Sequence, residues 1–480
     1  MGTLDGIVYG FWVALAPANL LMCAIGVLTG MLVGVLPGIG TATAVSLLIP
    51  ITYYGSPTGS LIMLAGIYYG AQYGGTITSV LVNIPGEAST VVTTLDGYPM
   101  AKNGRAGAAL TVAAVGSFFA GCVATAAIAL FVMPLSDFAL NFAPAEYSVL
   151  FVLGLSMAVT IARGPVIPAL GMAVLGTILG LVGSDMETGT PRLTFGVLEL
   201  SDGIEIIAVV MGMFGLAEIL TALEQKREGI IKTIGSLWPT KQEWRQSAPA
   251  ILRGTVLGSV LGIIPGGGSI ISAFASYATE KRLSKHPEQF GKGAIEGVAG
   301  PESANNAGAQ TSMIPLLALG IPGNVVMALM FGALMIHGIV PGPGLSTKEP
   351  ELFWGFIMSM WVGNLMLLVL NVPLVGMWVK LIEVPYWSLF PPIVLFMAIG
   401  AYSLSNTAFD GIVMTIFGVF GYVCIKLRLE PVPMILGLFL GPLLEENLRR
   451  AMLISRGDPT VFFTRPVSGT IVALGLLAVA

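Results

Sequence analysis

The residues best placed to do chemistry in this chain are glycines, prolines, hydroxyls and amides arranged in matched strings. Gly34-Val-Leu-Pro-Gly-Ile-Gly-Thr41 is echoed, 228 positions later, by Gly262-Ile-Ile-Pro-Gly-Gly-Gly-Ser269. Proline lacks an amide hydrogen, and glycine adopts backbone angles that other residues avoid, so each string interrupts a helix that would otherwise continue. Amides freed at a helix start attract anions, and freed carbonyls suit a cation such as sodium. Pro37, Gly38, Gly40 and Thr41, with Pro265, Gly266, Gly268 and Ser269, are therefore candidate substrate-binding residues.

A second string, Asn83-Ile-Pro-Gly-Glu87, is echoed by Gly320-Ile-Pro-Gly-Asn324 at a displacement of 237. It adds Asn83, Pro85, Gly86, Glu87, Ser89 and Thr90, and Pro322, Gly323 and Asn324, to the candidate substrate set. The hydroxyls and amides ahead of it are candidate cation ligands: Thr76, Thr78 and Ser79 in one copy, and Asn305, Asn306, Gln310, Thr311 and Ser312 in the other. Their competing role is hydrogen bonding to the backbone of neighbouring helices. Carboxylates inside apolar stretches are functional candidates by default. Glu87 and Glu302 qualify; Asp96 serves equally well as a loop residue before Lys102.

Enzymatic constellations are missing. A zinc protease needs two histidines and a glutamate on one helix, whereas His286 and His337 stand apart. No Gly-x-Ser-x-Gly elbow frames a serine, and no Gly-Lys-Ser or Gly-Lys-Thr marks a phosphate loop. Cys23, Cys122 and Cys424 each lie in an apolar run with no paired spacing, so they read as small buried side chains without a metal or disulfide role.

The elements that must position these strings are membrane helices. Of 480 residues 55% are hydrophobic and 10% charged, well below the roughly 25% charge of soluble domains. Leu110 to Met133 and Phe353 to Val379 run without a charge, and a helix crosses a bilayer with about 20 apolar residues. Strict alternation, the mark of a transmembrane barrel, is absent from stretches such as Gly171 to Val182. The fold class is an all-α polytopic membrane protein of about ten spans plus two re-entrant hairpins. The net charge of −4 suggests no nucleic-acid partner. The first basic residue is Lys102, so the N-terminal apolar stretch lacks the basic start of a signal peptide and is expected to be retained.

The matched strings divide the chain into a first transmembrane repeat over 1–222, a cytoplasmic linker over 223–249 and a second repeat over 250–480. Equivalent loops differ in basic charge. The loop 53–58 has no basic residue, yet its counterpart holds Lys281, Arg282, Lys285 and Lys292; Lys102 and Arg105 lie where the second copy has only Lys348. Cytoplasmic loops are enriched in Lys and Arg, so the two repeats are expected to be inverted. With the N-terminus outside, Arg163, the linker, Lys380, Lys426 and Arg428 fall inside, but the basic stretch from Arg449 to Arg465 lands outside against the rule. Inversion makes 17–54 and 250–279 hairpins with Pro37-Gly38 and Pro265-Gly266 at their tips.

The strings Gly34 to Thr41, Ala65-Gly-Ile-Tyr-Tyr-Gly-Ala71, Tyr73-Gly-Gly75 and Asn83 to Glu87 stand in the order of one family, followed by Leu95-Asp-Gly-Tyr-Pro-Met-Ala101, Gly104-Arg-Ala-Gly107 and Gly189-Thr-Pro-Arg-Leu-Thr-Phe-Gly196. Over essentially its whole length the chain resembles the large membrane subunit of the tripartite tricarboxylate transporters. The resemblance implies a periplasmic solute-binding protein, a small membrane subunit with about four spans, and a cation gradient, expected to be sodium. It also implies a bacterial inner-membrane location and a di- or tricarboxylate substrate such as citrate. No arginine clamp stands at membrane depth apart from Arg163, so specificity is expected to rest largely with the binding protein. The expected mechanism is alternating access, by elevator or by rocking, with substrate held between paired hairpin tips; a passive anion channel or a membrane scaffold is the alternative.

Overall fold

The structure, a computed structural model, describes residues 2–479 except 37–39, 54, 163–164, 186–187, 225–230, 232–233, 265–267, 383 and 385. Pro37, Gly38, Arg163, Pro265 and Gly266 thus lie outside the described residues, as does part of the expected linker.

The described chain is almost entirely helical. The first half contains α1 (Thr3–Ala14), α2 (Pro17–Val35), α3 (Thr41–Thr52), α4 (Pro57–Val82), α5 (Val91–Lys102), α6 (Ala106–Ala139), α7 (Pro144–Ile161) and α8 (Val166–Gly180). A small antiparallel hairpin, β1 (Gly183–Ser184) with β2 (Pro191–Arg192), follows. Next come α9 (Ile206–Val210) and α10 (Ala217–Glu224), joined by a π-helical turn at Met211–Leu216.

The second half contains α11 (Lys241–Leu261), α12 (Gly268–Leu283), α13 (Glu296–Thr311), α14 (Met313–Leu319), α15 (Val325–Ile336), α16 (Leu345–Lys348), α17 (Pro350–Asn371), α18 (Val375–Ile382), α19 (Tyr386–Ser405), α20 (Phe409–Leu427), α21 (Val432–Ile454), α22 (Val461–Thr464) and α23 (Pro466–Val479).

The spaced glycines are packing seams. Added Cβ atoms at Gly26, Gly30 and Gly34 would lie 2.2, 2.4 and 2.3 Å from the carbonyl oxygens of Met63, Ile67 and Ala71. In the second half, Cβ atoms at Gly254 and Gly258 would lie 2.2 and 2.3 Å from those of Gly300 and Ala304. Backbones approach this closely in membranes only where side chains are small. The order of the contacts fixes direction: α2 runs parallel to α4, and α11 parallel to α13. Between them α3 brings the chain back, because Gly59 at the start of α4 sits beside Asn19 and Met22 at the start of α2. Likewise α12 returns along α11, with Arg253 paired to Glu280 at 2.5 Å.

Five helices are long and apolar enough to cross a membrane by length and composition: Pro17–Val35, Ala106–Ala139, Ile206–Glu224, Pro350–Asn371 and Phe409–Leu427. Five shorter apolar helices accompany them. The count differs from the expected ten because the central helices are broken and poor in large apolar residues. Every residue of α4 but Pro57, and every residue of α13 but Glu296, is buried. Neighbouring helices shield both from lipid, so glycines, amides and hydroxyls replace leucine there without meeting hydrocarbon.

Two further glycine seams build a wall beside this bundle. An added Cβ at Gly176 of α8 would lie 1.9 Å from Met434 O of α21, and one at Gly212 of the π turn 2.3 Å from Met414 O of α20. Each half contributes one helix to each pair.

Candidate functional site

Where the second motif breaks α4, Asn83 takes a left-handed conformation (φ 61°), and Gly320 does the same after α14 (φ 70°). Asparagine and glycine are the residues that tolerate this cap. Four residues on, Glu87 starts a short 3-10 turn, and Asn324 caps α15 by accepting from Met327 N at 2.9 Å. The breaks aim both motifs at one cavity of about 630 Å³ between the motif-bearing bundle and the wall. Gly40, Thr41 and Ile84 to Ala88 line it from the first half, and Gly268, Ser269 and Asn324 to Val326 from the second. The wall supplies Met213, Phe214, Glu218 and Thr221, and the turn Arg428 to Val432.

The cavity therefore unites Gly40, Thr41, Pro85, Gly86, Glu87, Gly268, Ser269 and Asn324 of the sequence-predicted set. Asn83, Pro322 and Gly323 form the backbone breaks behind its lining. Ser89 donates to Gln72 Oε1 at 2.8 Å, and Thr90 donates to Glu87 O at 2.9 Å while accepting from Ser79; neither reaches the lining.

The two helix starts in the cavity differ chemically. At α3 the Gly40 amide donates to Glu218 Oε2 at 2.5 Å, and Thr43 donates to the same oxygen at 3.2 Å. The Thr41 amide donates to Glu87 Oε2 at 3.1 Å, and the Thr41 hydroxyl donates to it as well. Two carboxylates of the protein thus occupy the amides where a substrate anion was expected. At α12 no side chain among the described residues accepts from the Gly268 or Ser269 amide. There Asn324 donates to Tyr68 Oη at 3.4 Å and Ser312 Oγ at 3.2 Å, so the position matching Glu87 is neutral. Arg428 is the one guanidinium or ammonium group among the described lining residues, which also include the carboxylates Glu87, Glu218 and Glu430.

The expected cation ligands separate into two groups. Thr78 and Ser79 donate to Gly75 O, Thr311 to Ala307 O, and Ser312 to Ala309 O, each within its own helix. Such bonds are ordinary in helices, although Ser79 also lies 2.9 Å from Thr90 Oγ1, Thr311 3.4 Å from Gly258 O of α11, and Ser312 accepts from Asn324. Thr76 instead donates to Glu302 Oε2 at 2.7 Å across the halves, and Thr93 donates to Glu302 Oε1. Asn306 donates to Ser117 Oγ at 2.7 Å and Thr125 to Gln310 Oε1 at 2.8 Å. Asn305 is buried with neither amide atom partnered. Asp96 accepts at 2.8 Å from the amides of Gly291, Gly293 and Ala294, and so ties the halves together outside the cavity.

Sequence reasoning missed Glu218 and Arg428 as site residues. Glu218 lies in an apolar helix with no motif near it, and only the intramembrane carboxylate rule marks it. Arg428 reads in the sequence as an inner-loop charge. Among the described residues no three His, Cys, Asp or Glu side chains converge as a metal site.

No solved structure matches the chain. Residues 20–436 match the tripartite tricarboxylate transporter TctA family. The chain is similar to an uncharacterized 52.8 kDa protein in the TAR-I ttuC' 3' region of Agrobacterium vitis, 54% identical over 481 aligned residues that cover 100% of this chain and 96% of the relative. It is also similar to an uncharacterized protein in the TAR-II ttuC' 3' region of the same organism, 59% identical over 222 residues, 46% of this chain and 92% of that relative. The matched family consists of transporter membrane components rather than enzymes. With motif breaks from both halves meeting at one cavity and a match over nearly its whole length, the chain belongs to the tripartite tricarboxylate transporter TctA family as a multi-pass membrane protein.

Proposed function

We propose that the chain is the large permease subunit of a binding-protein-dependent secondary transporter that imports di- or tricarboxylates such as citrate across a bacterial inner membrane, coupled to sodium. The observation that carries this reading is the cavity itself, where both copies of both motifs meet a wall of separate helices. A site between a broken-helix bundle and a wall is what alternating access requires.

The helix directions support an inverted arrangement. Leu81 O, at the end of α4, accepts from Ile231 N, and Ile234 O accepts from the Gly107 amide at the start of α6, so α6 begins where α4 ends. α6 runs parallel to α13, because Gly116 faces Ser303 and Thr125 bonds Gln310. α11 follows α13, so it runs opposite to α2, and the two hairpins enter from opposite faces. Single cysteines at Ser56 and Lys281, in a chain lacking its three native cysteines, are expected to label from opposite sides; labelling from one side would exclude inversion.

Electrostatics favour a co-transported cation. The lining holds three carboxylates against one guanidinium, so an anionic substrate entering alone would meet like charge in a poorly screened space. A sodium ion offsets that repulsion. The substrate carboxylate is assigned to Gly268, Ser269 and Asn324 with Arg428 opposite, since charge-assisted hydrogen bonds from guanidinium and helix-start amides are the strong ones for carboxylates. The partners are a periplasmic solute-binding protein and a small membrane subunit. The test is uptake into proteoliposomes holding this chain and both partners, across a panel of carboxylates, with and without a sodium gradient. Uptake that ignores the gradient removes the coupling; uptake without the binding protein removes the tripartite reading.

A further inference from the structure

Glu302 of α13 is 1% exposed and sits in the bundle centre, apart from the cavity lining. Its two oxygens accept from Thr76 of α4 and Thr93 of α5, both buried first-half residues. No Lys, Arg or His among the described residues pairs with it. A carboxylate taken out of water without a positive partner is strongly disfavoured, and in practice it is neutralised.

A second, independent anomaly surrounds it. Polar atoms with no protein partner gather on the packed helices: Tyr73 Oη and Gln72 Nε2 of α4, both amide atoms of Asn305, Asn306 Oδ1, Gln310 Nε2, and both amide atoms of Asn364 on α17. They are linked through neighbours: Asn306 bonds Ser117, Thr125 bonds Gln310, and Asn364 abuts Gly121 one turn from Thr125. Buried polar groups are nearly always satisfied, so a cluster of this size points to a ligand that the protein alone does not supply.

We infer that Glu302, Thr76, Thr93 and Asn305 form a site for a single positive charge, sodium or a proton, between the two halves and separate from the substrate cavity. The inference rests on the transport reading and sharpens it by naming the group that carries the coupling charge. Carboxylate, hydroxyl and amide oxygens are the donors a hard cation takes. A bound charge would also cross-link the halves, through α4 and α5 on one side and α13 on the other. The elements packed around Glu302 also carry Tyr68, Tyr69 and Tyr73 on α4, Asp96, Tyr98 and Lys102 on α5, Cys122 and Asp137 on α6, Lys241, Glu243, Arg245 and Arg253 on α11, Tyr277, Glu280, Lys281 and Arg282 on α12, and Glu296 on α13 itself; Asp96 is held by three amides and by Tyr277, and Glu280 pairs with Arg253.

The test needs neither substrate nor partner proteins, so it stands apart from failure of the uptake experiment. Thermal unfolding of the full chain in nanodiscs is followed while sodium replaces choline at fixed ionic strength, and then across pH. For a sodium site, sodium raises the midpoint saturably and Glu302→Gln abolishes the response. Thr93→Val or Asn305→Leu, which keep the carboxylate, weaken the apparent sodium affinity about tenfold and serve if the Gln variant does not fold. For a proton site, sodium does nothing, the wild-type midpoint falls as pH rises, and Glu302→Gln flattens that dependence; Thr93→Val or Asn305→Leu moves the pH at which the fall occurs. A wild-type protein indifferent to sodium and to pH, or variants that respond as the wild type does, overturns the inference.

Discussion

At the start of α3, consecutive amides donate to Glu218 and Glu87; at the start of α12, the matching amides belong to lining residues of the cavity, and among the described residues no carboxylate accepts from them. The backbones are repeats of one string, so this difference lies in the side chains brought to them. One helix start has its anion-binding capacity filled by the protein, and the other is the start to which the proposed function assigns the carboxylate. The two strings match in sequence, and the residues at positions 87 and 324 make the two helix starts unequal. An arrangement with two open helix starts would bind a carboxylate in two registers; with one start filled, one register remains.

The hardest test of this contrast copies the first half onto the second. Asn324→Glu is expected to leave the fold intact, because an acid at a helix start suits the cap and the dipole. It places a carboxylate where the substrate anion belongs. Like charge at close range costs several kcal/mol, so uptake should fall about a hundredfold or more with little change in the unfolding midpoint. Uptake near wild-type level would show that the substrate does not use the α12 start.

Arg428→Ala comes next. Loss of a guanidinium–carboxylate pair at a partly exposed site should weaken carboxylate affinity by about ten- to thirtyfold, while Arg428→Lys recovers part of it. Equilibrium binding of a radiolabelled carboxylate to the purified chain measures this directly. Equal loss in the Ala and Lys variants would mean that Arg428 shapes the turn, where its φ of 58° already requires a left-handed backbone, rather than meeting charge.

Much of this arrangement was legible in the sequence. Gly26, Gly30, Gly254 and Gly258 pack as their spacing suggests, because a seam of small residues needs only periodicity to be recognised. The motif breaks are also legible, since Pro and Gly act on their own backbone. What the sequence hides is anything set by a partner from another helix. Thr76 and Thr78 are two residues apart and look alike, yet Thr76 reaches Glu302 across the halves while Thr78 turns back to Gly75 O. The basic stretch that offended the charge rule is similar: Arg449 pairs with Asp185 and Glu445 at 3.0 and 2.5 Å, Arg450 with Glu446 at 2.6 Å, and Arg465 with Glu146 at 2.6 Å. The acids one turn before Arg449 and Arg450 are visible to a helical reading of the sequence, whereas the bonds of Arg449 to Asp185 and of Arg465 to Glu146 join distant segments and are not.

Glu218→Gln sharpens the same contrast from the first half. The amide oxygen of Gln can still accept from Gly40, so the geometry survives while the charge-assisted part of the bond is lost. Substrate affinity should change by less than about threefold, because Gln keeps an acceptor on the Gly40 amide and leaves the α3 start filled. A loss of binding as large as that of Arg428→Ala would place Glu218 on the substrate and erase the division between a filled and an open start.

The smallest effect separates ligand from scaffold at the motif breaks. Asn83 was expected to bind substrate, but its left-handed backbone gives it a conformational task shared with Gly320. Asn83→Gly should therefore leave transport unchanged, with stability shifted by only a few tenths of a kcal/mol, whereas Asn83→Ala should cost about 1 kcal/mol because alanine pays the left-handed strain without relief. The same pair at Gly320, to Asn and to Ala, should follow the same order, since both halves need the turn even though only one needs the anion. Reduced carboxylate binding in Asn83→Gly at unchanged stability would return Asn83 to the site and move the boundary of the substrate-binding surface behind the cavity lining.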